Sequence, residues 1–229
     1  MERKNTRVIK VGNVLIGGDN PISVQSMTNT RTSDVVSTVK QIKELEKAGC
    51  DIIRSSVSST EDAMAIAEIK EQINIPIIAD IQYDYKLALE TIKYGIDGLR
   101  INPGNIGSLD KVEKVVNACK ANNLSIRIGV NSGSIKKEFL DKYNGVNAHS
   151  MVYSALEQIK LLEELNFYDI KISLKASNVP LTIQAYKMMS EVCNYPLHLG
   201  VTEAGTPWRG TIKSSVGIGT LLAMGIGDT

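Results

Sequence analysis

The chain has 229 residues, a length typical of one large domain and common among single-domain α/β barrels. Hydrophobic residues make up 43% of it, which is enough to build a core and excludes a globally disordered chain. The formal net charge is +1, so no overall field favours nucleic acid or a membrane surface as a partner.

Short β-rich segments alternate with helical segments along the chain. A hairpin is predicted over 7–18, and seven strands follow it at 22–27, 51–57, 76–82, 98–102, 125–131, 169–176 and 197–204. Apolar residues between the strands recur at helical spacing, as in the sets Val35, Val39, Ile42, Leu45 and Met151, Ala155, Ile159, Leu162. This β-α-β-α order predicts a parallel sheet, whose eighth strand would start at 225–229.

Two architectures fit this order, an open doubly wound sheet and a closed barrel, and the strand patterns separate them. One parity of the strands is mostly Ile, Val and Leu. The other parity is largely polar, apart from Met27, Ile78, Gly129 and Gly200. Its polar members are Ser23, Gln25, Arg54, Ser56, Asp80, Gln82, Arg100, Asn102, Arg127, Asn131, Lys171, Ser173, Lys175, His198 and Thr202. Strands covered by helices on both faces would be apolar on both parities. The contrast predicts a TIM-type (β/α)8 barrel, here truncated at the start of strand eight.

The predicted barrel interior carries a surplus of positive charge. Five cationic side chains face it against two carboxylates, those of Asp80 and, near the rim, Glu203; the cations are Arg54, Arg100, Arg127, Lys171 and Lys175. A buried guanidinium is costly unless an anion pairs with it, and planar guanidiniums suit phosphate oxygens. The pattern predicts a polyanionic ligand in the barrel mouth, held in part by Arg100.

Two glycine-rich segments follow strands and could add backbone donors for phosphate. The segment "NPGNIGS" (102–108) predicts a nest of N–H groups that leads into a helix N-terminus at Ser108. The segments "VTEAGT" (201–206) and "GIG" (217–219) predict a second glycine-rich edge. Two structural alternatives stay open: Lys171 and Lys175 as ion-pair partners of Asp80 or Glu203, and His198 as a hydrogen-bonded core residue.

The remaining features of composition concern compartment and metal. Three cysteines, Cys50, Cys119 and Cys193, are widely separated and include no CxxC pair, so we expect small buried thiols, no metal site and a reducing cytoplasm. No apolar run is long enough for a membrane span, and residues 1–13 lack the apolar core of a secretory signal.

Long blocks of the sequence are also familiar. "PISVQSMTNT", "LRINPGNIG", "IRIGVN", "KISLKAS", "LHLGVTEAGT" and "IKSSVGIGTLLAMGIGDT" occur in this order and extend over nearly the whole chain. In these blocks the chain resembles the 4-hydroxy-3-methylbut-2-enyl-diphosphate synthases of the non-mevalonate isoprenoid pathway. The resemblance implies reductive ring opening of 2-C-methylerythritol 2,4-cyclodiphosphate, with loss of the C3 oxygen. It also implies electrons from ferredoxin or flavodoxin that pass through a [4Fe–4S] cluster.

The resemblance assigns roles to residues of the predicted barrel mouth. It implies a diphosphate clamp of Arg54, Arg100, Arg127 and Lys175. We also predict that Lys171, His198 and Ser214 belong to the substrate-binding set. Asn131, Thr202 and Glu203 match positions near the substrate hydroxyls and reacting carbons. Glu203 is the candidate acid or positioning group, and Asp80 is expected to hold the cation network in place.

The chain departs from the family pattern in two ways. It stops at Thr229, so we expect residues 1–229 to be an incomplete barrel that is inactive alone and exposes strand edges. The resemblance also implies a cluster domain, which would lie outside these residues. In the family, three cysteines and a glutamate of that domain hold the cluster, and the domain caps the barrel of the other subunit in a homodimer. The second departure is Gln82 and Tyr83, where the family usually has His and Phe.

Two other functions remain compatible with the residues. Lys171 or Lys175 could form a Schiff base with a phosphorylated carbonyl substrate, as in a barrel lyase or aldolase. The barrel could also bind a diphosphate without catalysis.

Overall fold

A parallel sheet forms the frame of the molecule, which we describe from a computed structural model covering residues 2–229. The strands are β1 Ile9–Val11, β2 Val14–Ile16, β3 Gln25–Met27, β4 Ile52–Ser56, β5 Ile77–Asp80, β6 Gly98–Ile101, β7 Ser125–Asn131 and β8 Ile170–Lys175. β1 and β2 pair as an antiparallel hairpin, and β3 to β8 pair in sequence order, each parallel to the next. The predicted hairpin and the first six predicted barrel strands are confirmed.

Helices follow the barrel strands and cover the outside of the sheet. They are α1 Val35–Lys47, α2 Thr60–Lys70, α3 Tyr85–Lys93, α4 Pro103–Ile106, α5 Leu109–Ala121, α6 Lys137–Lys142, α7 Ala148–Glu164, α8 Val179–Val192 and α9 Pro207–Ala223, with a 3-10 turn at Ser132–Ser134. Asp34, Asn147 and Asn178 begin three of them, each accepting a backbone N–H of the first turn through its side chain.

The core has two parts, as the alternation along the strands predicts. Outward-facing residues such as Ile53, Leu99 and Ile128 are buried against the helices. At the amino-terminal end of the barrel, the inward-facing Ile52 and Ile78 pack against the hairpin instead. The hairpin therefore closes the bottom of the barrel, and the polar residues of the inner face lie above this apolar floor.

The predicted strand at 197–204 is not continuous. A single bridge joins Ile172 to Leu197, and the next expected backbone bond of a parallel ladder is interrupted. There the N–H of Leu174 donates to the hydroxyl of Tyr186, which in turn donates to the carbonyl of His198. The seventh segment follows β8 along its length, but a side-chain hydroxyl replaces part of the ladder.

Residues 228–229 complete the bottom of the barrel. Asp228 donates its N–H to the carbonyl of Leu197 at 2.9 Å and accepts the N–H of Ser23 at 3.2 Å. The start of an eighth strand thus lies between the seventh segment and the first strand, at the predicted place. On either side of Ser23, the outward-facing Ile22 and Val24 are 41% and 56% exposed.

Candidate anion-binding site in the barrel mouth

Strand register places the predicted site residues on one inner surface. Asp80 pairs with Arg100 across β5 and β6, and Arg100 pairs with Arg127 across β6 and β7. Arg127 in turn pairs with Lys171 across β7 and β8. Residues paired in a parallel sheet point to the same face, so these four side chains form one row along the inside of the barrel.

Asp80 holds two of the arginines. Its Oδ1 accepts a hydrogen bond from Arg100 Nη1 at 3.0 Å, and its Oδ2 lies 3.5 Å from Arg54 Nη1. The Asp80 side chain is 7% exposed and each arginine side chain 15%, so solvent screens these pairs only weakly. One carboxylate therefore lies within reach of two guanidiniums.

The deeper cations have no such partner. Arg127 and Lys171 are each only 1% exposed. Within residues 2–229, Nε and Nη1 of Arg127 have no hydrogen-bond acceptor, and Lys171 Nζ donates only to Gln25 Oε1 at 3.3 Å. In the same residues neither Lys171 nor Lys175 forms the ion pair that the structural alternative required. An anion would satisfy these donors.

Crowded positive charge and burial alter the protonation of the neighbouring groups. Burial, helped by Arg54, lowers the pKa of Lys171 to about 7. Burial, with Arg54 and Arg100 nearby, lowers the pKa of Lys175 to about 7 as well. Burial and the two lysines hold the pKa of His198 well below its usual range, so its imidazole is neutral. At neutral pH the lysines are therefore divided between ammonium and amine.

Two inward-facing glycines provide room for the long cationic side chains. A Cβ at Gly129 would lie 2.7 Å from Arg100 Nε, and one at Gly200 would lie 2.8 Å from Lys175 Cε. Any larger residue would push the cation out of its place. These close approaches explain why the polar parity is broken by glycine at these two positions.

Asn131 and Gln82 line a small cavity beside Arg100. Its volume is about 190 Å³, and it is bounded by Gln82, Tyr83, Arg100, Asn102, Asn105, Asn131 and Ser134. Asn102 is not followed by a loop of free N–H groups. Its side chain accepts the N–H of Gly104 at 3.0 Å and caps the start of α4. The predicted nest is thus replaced by a short helix, while the helix that begins after Ser108 is confirmed.

The remaining predicted residues lie at the rim. Glu203 is exposed and has a φ of +49°, a conformation that is uncommon for a residue other than glycine. Thr202 donates its backbone N–H to Ala176, and Ser214 is half-buried on α9. Among residues 2–229 no hydrogen bond joins these three side chains to the cations. The expected "GIG" edge is wrong, because Gly217 and Gly219 lie inside α9.

Tyr186 contacts the strands that build the site, and no sequence pattern indicates this role. It is a fully buried tyrosine on the outer helix α8, and nothing in the spacing of that helix distinguishes it from an ordinary core residue. Its hydroxyl reaches the backbone of β8 and of the seventh segment, and only the hydrogen-bond pattern shows it.

A family model described as "GcpE TIM-barrel domain" matches residues 6–229. The chain belongs to this family. Relatives named "4-hydroxy-3-methylbut-2-en-1-yl diphosphate synthase (flavodoxin)" are 62% identical over 229 residues in Clostridium perfringens and 61% over 227 in Caldanaerobacter subterraneus subsp. tengcongensis. The alignments include 100% and 99% of this chain but 66% and 64% of those relatives, so the chain spans slightly less than two thirds of their length.

Solved structures of other proteins share the fold of this GcpE barrel. Dihydropteroate synthase of Yersinia pestis superposes with a TM-score of 0.66 at 10% identity, over 95% of this chain and 88% of that chain. The enzyme of Xanthomonas albilineans gives 0.64 at 12% identity, over 97% and 90%. At these identities the likeness shows the architecture alone, and it confirms the predicted barrel.

The cysteines of this GcpE barrel do not fit an iron–sulfur cluster. Cys50 and Cys119 are buried and Cys193 is half-buried, on three separate parts of the chain. Burial raises the pKa of Cys119 to about 12, whereas cluster ligands are thiolates. Residues 2–229 contain no group of three or more His, Cys, Asp or Glu that could hold a metal ion. Nor does any helix in these residues have the length and apolar character needed to cross a membrane.

Proposed function

We propose that this chain is the substrate-binding barrel of a 4-hydroxy-3-methylbut-2-en-1-yl diphosphate synthase. The observation that carries the proposal is the buried guanidinium of Arg127, which has no acceptor for two of its nitrogens among residues 2–229. A buried cation without a partner is costly, and a phosphate group supplies the missing acceptors. The names of relatives 56–62% identical to this chain support the choice of substrate.

The proposed substrate is 2-C-methylerythritol 2,4-cyclodiphosphate, which brings two phosphoryl groups in one ring. Arg54 and Arg100, already oriented by Asp80, bind it from one side of the barrel, and Arg127 and Lys175 bind it from the other. Each new bond is charge-assisted, and the interior screens it less than water would. Lys171, at the end of the row, and His198 complete the buried part of the site, and Ser214 contributes from the rim.

The reacting part of the substrate would face the rim. Asn131 and Thr202 are placed to bind its hydroxyl groups, and Glu203 is the proposed acid or positioning group for the departing C3 oxygen. The exposed position of Glu203 leaves its carboxylate free to approach a bound substrate. The left-handed backbone there is the kind of local strain often found at functional sites.

The reduction needs an electron source, which we place outside the described residues. The relatives' printed name includes flavodoxin, and we propose flavodoxin, with ferredoxin as the alternative, as the donor. We further propose that a [4Fe–4S] cluster is held by residues outside 1–229, since the cysteines here do not fit one. A homodimer in the cytoplasm, in which that part caps the barrel of the other subunit, completes the proposal.

One observation favours a second candidate. Lys171 and Lys175 carry amines that are partly neutral at pH 7, as a Schiff-base lyase requires. Borohydride trapping of a phosphorylated carbonyl compound on either lysine, with turnover of that compound, would support it. The names of the relatives favour the synthase over both the lyase and a non-catalytic diphosphate-binding barrel.

The test is turnover by the complete protein that carries this barrel. Purified without oxygen and supplied with reduced flavodoxin, it should convert the cyclic diphosphate to hydroxymethylbutenyl diphosphate. The Arg100→Ala variant should raise KM at least tenfold, while Lys160→Met on the exposed face of α7 should leave it unchanged. Cyclic diphosphate binding without turnover would favour the non-catalytic barrel, and absence of both binding and turnover would exclude the synthase.

A further inference from the structure

The backbone ladder between β8 and the seventh segment is complete at both ends. At the bottom, Ile172 accepts the N–H of His198 at 2.7 Å and donates its own to Pro196 at 3.0 Å. At the mouth, Thr202 donates to the carbonyl of Ala176 at 3.3 Å. The two segments therefore keep one register along this length, and the interruption between these points is local.

The hydroxyl of Tyr186 occupies the interruption. In a parallel ladder of this register, the N–H of Leu174 would donate directly to the carbonyl of His198. Instead it donates to Tyr186 Oη at 3.0 Å, and the tyrosine O–H donates to that carbonyl. Tyr186 is fully buried on α8, so its ring enters the ladder from outside the barrel. One oxygen atom thus separates two backbones that would otherwise bond directly.

The separated stretch holds part of the anion site on its inner side. Gly200, the next inward-facing residue after His198, lies against the side chain of Lys175, whose Nζ would be 3.0 Å from a Cβ built there. Thr202 and Glu203 follow within three residues. The width of the gap therefore determines how far the rim residues lie from the ammonium group of Lys175.

We propose that Tyr186 is a positioning residue for the reaction proposed above, on which this inference rests. It does not touch the substrate. From outside the barrel it holds the seventh segment apart from β8, so that Lys175 fits beside Gly200 and the rim residues Thr202 and Glu203 stand over the bound anion. Without the hydroxyl, the N–H of Leu174 and the carbonyl of His198 either bond directly, which narrows the gap, or lose their partners.

The test is Tyr186→Phe in the complete protein, with Tyr195→Phe as a matched control. Tyr195 is also buried, and its hydroxyl donates to the side chain of Glu163 at 2.7 Å, but it lies outside the ladder. We expect kcat of Tyr186→Phe to fall at least tenfold, while its Kd for inorganic diphosphate stays within twofold of wild type. Tyr195→Phe should retain wild-type kcat, even if its Tm falls as far as the Tm of Tyr186→Phe.

Hydrogen exchange gives a readout that does not depend on turnover. In Tyr186→Phe the amides of Leu174 and Gly200 should change protection, and in Tyr195→Phe they should not. If the wild-type protein binds inorganic diphosphate but turns over no cyclic diphosphate, the proposed function fails. Hydrogen exchange and diphosphate affinity in the two tyrosine variants would then still test whether Tyr186 sets the distance between β8 and the seventh segment.

Three results would overturn the positioning role. One is a folded Tyr186→Phe protein with wild-type kcat, and another is equal loss of kcat in both tyrosine variants. If Tyr186→Phe does not fold, Gly200→Ala serves instead, because its methyl group would displace Lys175 from the same gap. Wild-type kcat in Gly200→Ala is the third such result, and a tenfold loss with retained Tm supports the role.

Discussion

Asp80 accepts a hydrogen bond from Arg100 across the strands β5 and β6, with 3.0 Å between Oδ1 and Nη1. The same carboxylate lies 3.5 Å from Arg54, so one anion serves two guanidiniums. Arg127, the neighbour of Arg100 on β7, has no carboxylate within 4.0 Å in the described part of the chain. The free site is thus partly neutralised on one side, and the other side is left for a ligand.

Loss of the Asp80 charge should destabilise the free protein. In Asp80→Asn, Arg54 and Arg100 would repel each other without a counter-ion, and removing one member of a buried pair costs about 3 kcal/mol. Urea unfolding should show this loss, and inorganic diphosphate at saturating concentration should restore more stability to the variant than it adds to wild type.

A carboxylate outside the barrel provides the control. Asp97 pairs with Lys70 at 2.8 Å and accepts the N–H of Ile77. Asp97→Asn should also lose stability, but inorganic diphosphate should stabilise it no more than wild type. Equal stabilisation of both variants by the ligand would contradict a role for Asp80 inside the anion site.

Anion binding should take up protons near neutral pH. Lys175 has a pKa of about 7 in the free site because it is buried beside Arg54 and Arg100, against the single opposing charge of Asp80. Lys171 also has a pKa of about 7, and the neighbouring His198 is neutral. A bound anion favours the ammonium form, so each neutral lysine gains a proton on binding.

The sign of the pH effect follows from this proton uptake. Above pH 7 the affinity should fall, by up to about tenfold per lysine for each pH unit. Calorimetry with inorganic diphosphate in two buffers of different ionisation enthalpy would measure the uptake at pH 8. The same titration of Lys175→Gln serves as the reference, because the ligand's own ionisation is the same in both proteins and cancels in the difference. Identical pH dependence in wild type and Lys175→Gln would exclude Lys175 as a source of the effect.

Arg127 should lower the stability of the free protein and strengthen its binding of diphosphate. It is buried with unsatisfied nitrogens, so Arg127→Met removes a desolvated charge and should raise the free energy of unfolding by about 1–3 kcal/mol. The same change removes charge-assisted bonds to the ligand and should weaken diphosphate binding by about 1.5–3 kcal/mol. Urea unfolding and calorimetry on one sample would show the opposite signs. A variant that is less stable and binds normally would mean that Arg127 has a structural partner instead.

Parity along the strands predicted much of this site, because strand geometry fixes which residues face inward. Arg54, Asp80, Arg100 and Arg127 needed only the two-residue repeat and the β-α order to be placed together. The ion-pair partners of Asp80 could not be predicted in the same way. Asp80 pairs with the arginines and not with the lysines, because side-chain length and the stagger of the strands decide which cation reaches it.

Two features of the structure differ from the prediction, one through a contact between separate elements and one through a local contact. The break in the predicted strand at 197–204 comes from a tyrosine on α8, whose hydroxyl competes with a backbone bond. The "NPGNIGS" segment became a short helix because the Asn102 side chain caps it. In both cases a side chain replaces a backbone partner. No residue type or spacing marks Tyr186 for this role, whereas Asn before Pro is a typical start of a helix and accounts for α4.

Asp228 should be the main polar contact between the amino-terminal segment and the bottom of the barrel. Its carboxylate accepts the N–H of Leu197 at 2.8 Å and the hydroxyl of Thr6 at 2.9 Å, and it is 1% exposed. Asp228→Ala leaves both donors unsatisfied and should lower the free energy of unfolding by about 2–4 kcal/mol. Asp228→Asn keeps one acceptor and should lose less.

The same residue should also change how stability depends on pH. Burial raises the pKa of Asp228, so the folded state binds its proton more tightly than the unfolded state does. Its contribution to stability is therefore fully present below the unfolded pKa and is lost as pH rises through the folded one. The stability of wild type relative to Asp228→Asn, measured by urea unfolding from pH 4 upward, should decrease with pH. A difference that stays constant or increases would show that the buried carboxylate is not destabilised by its surroundings.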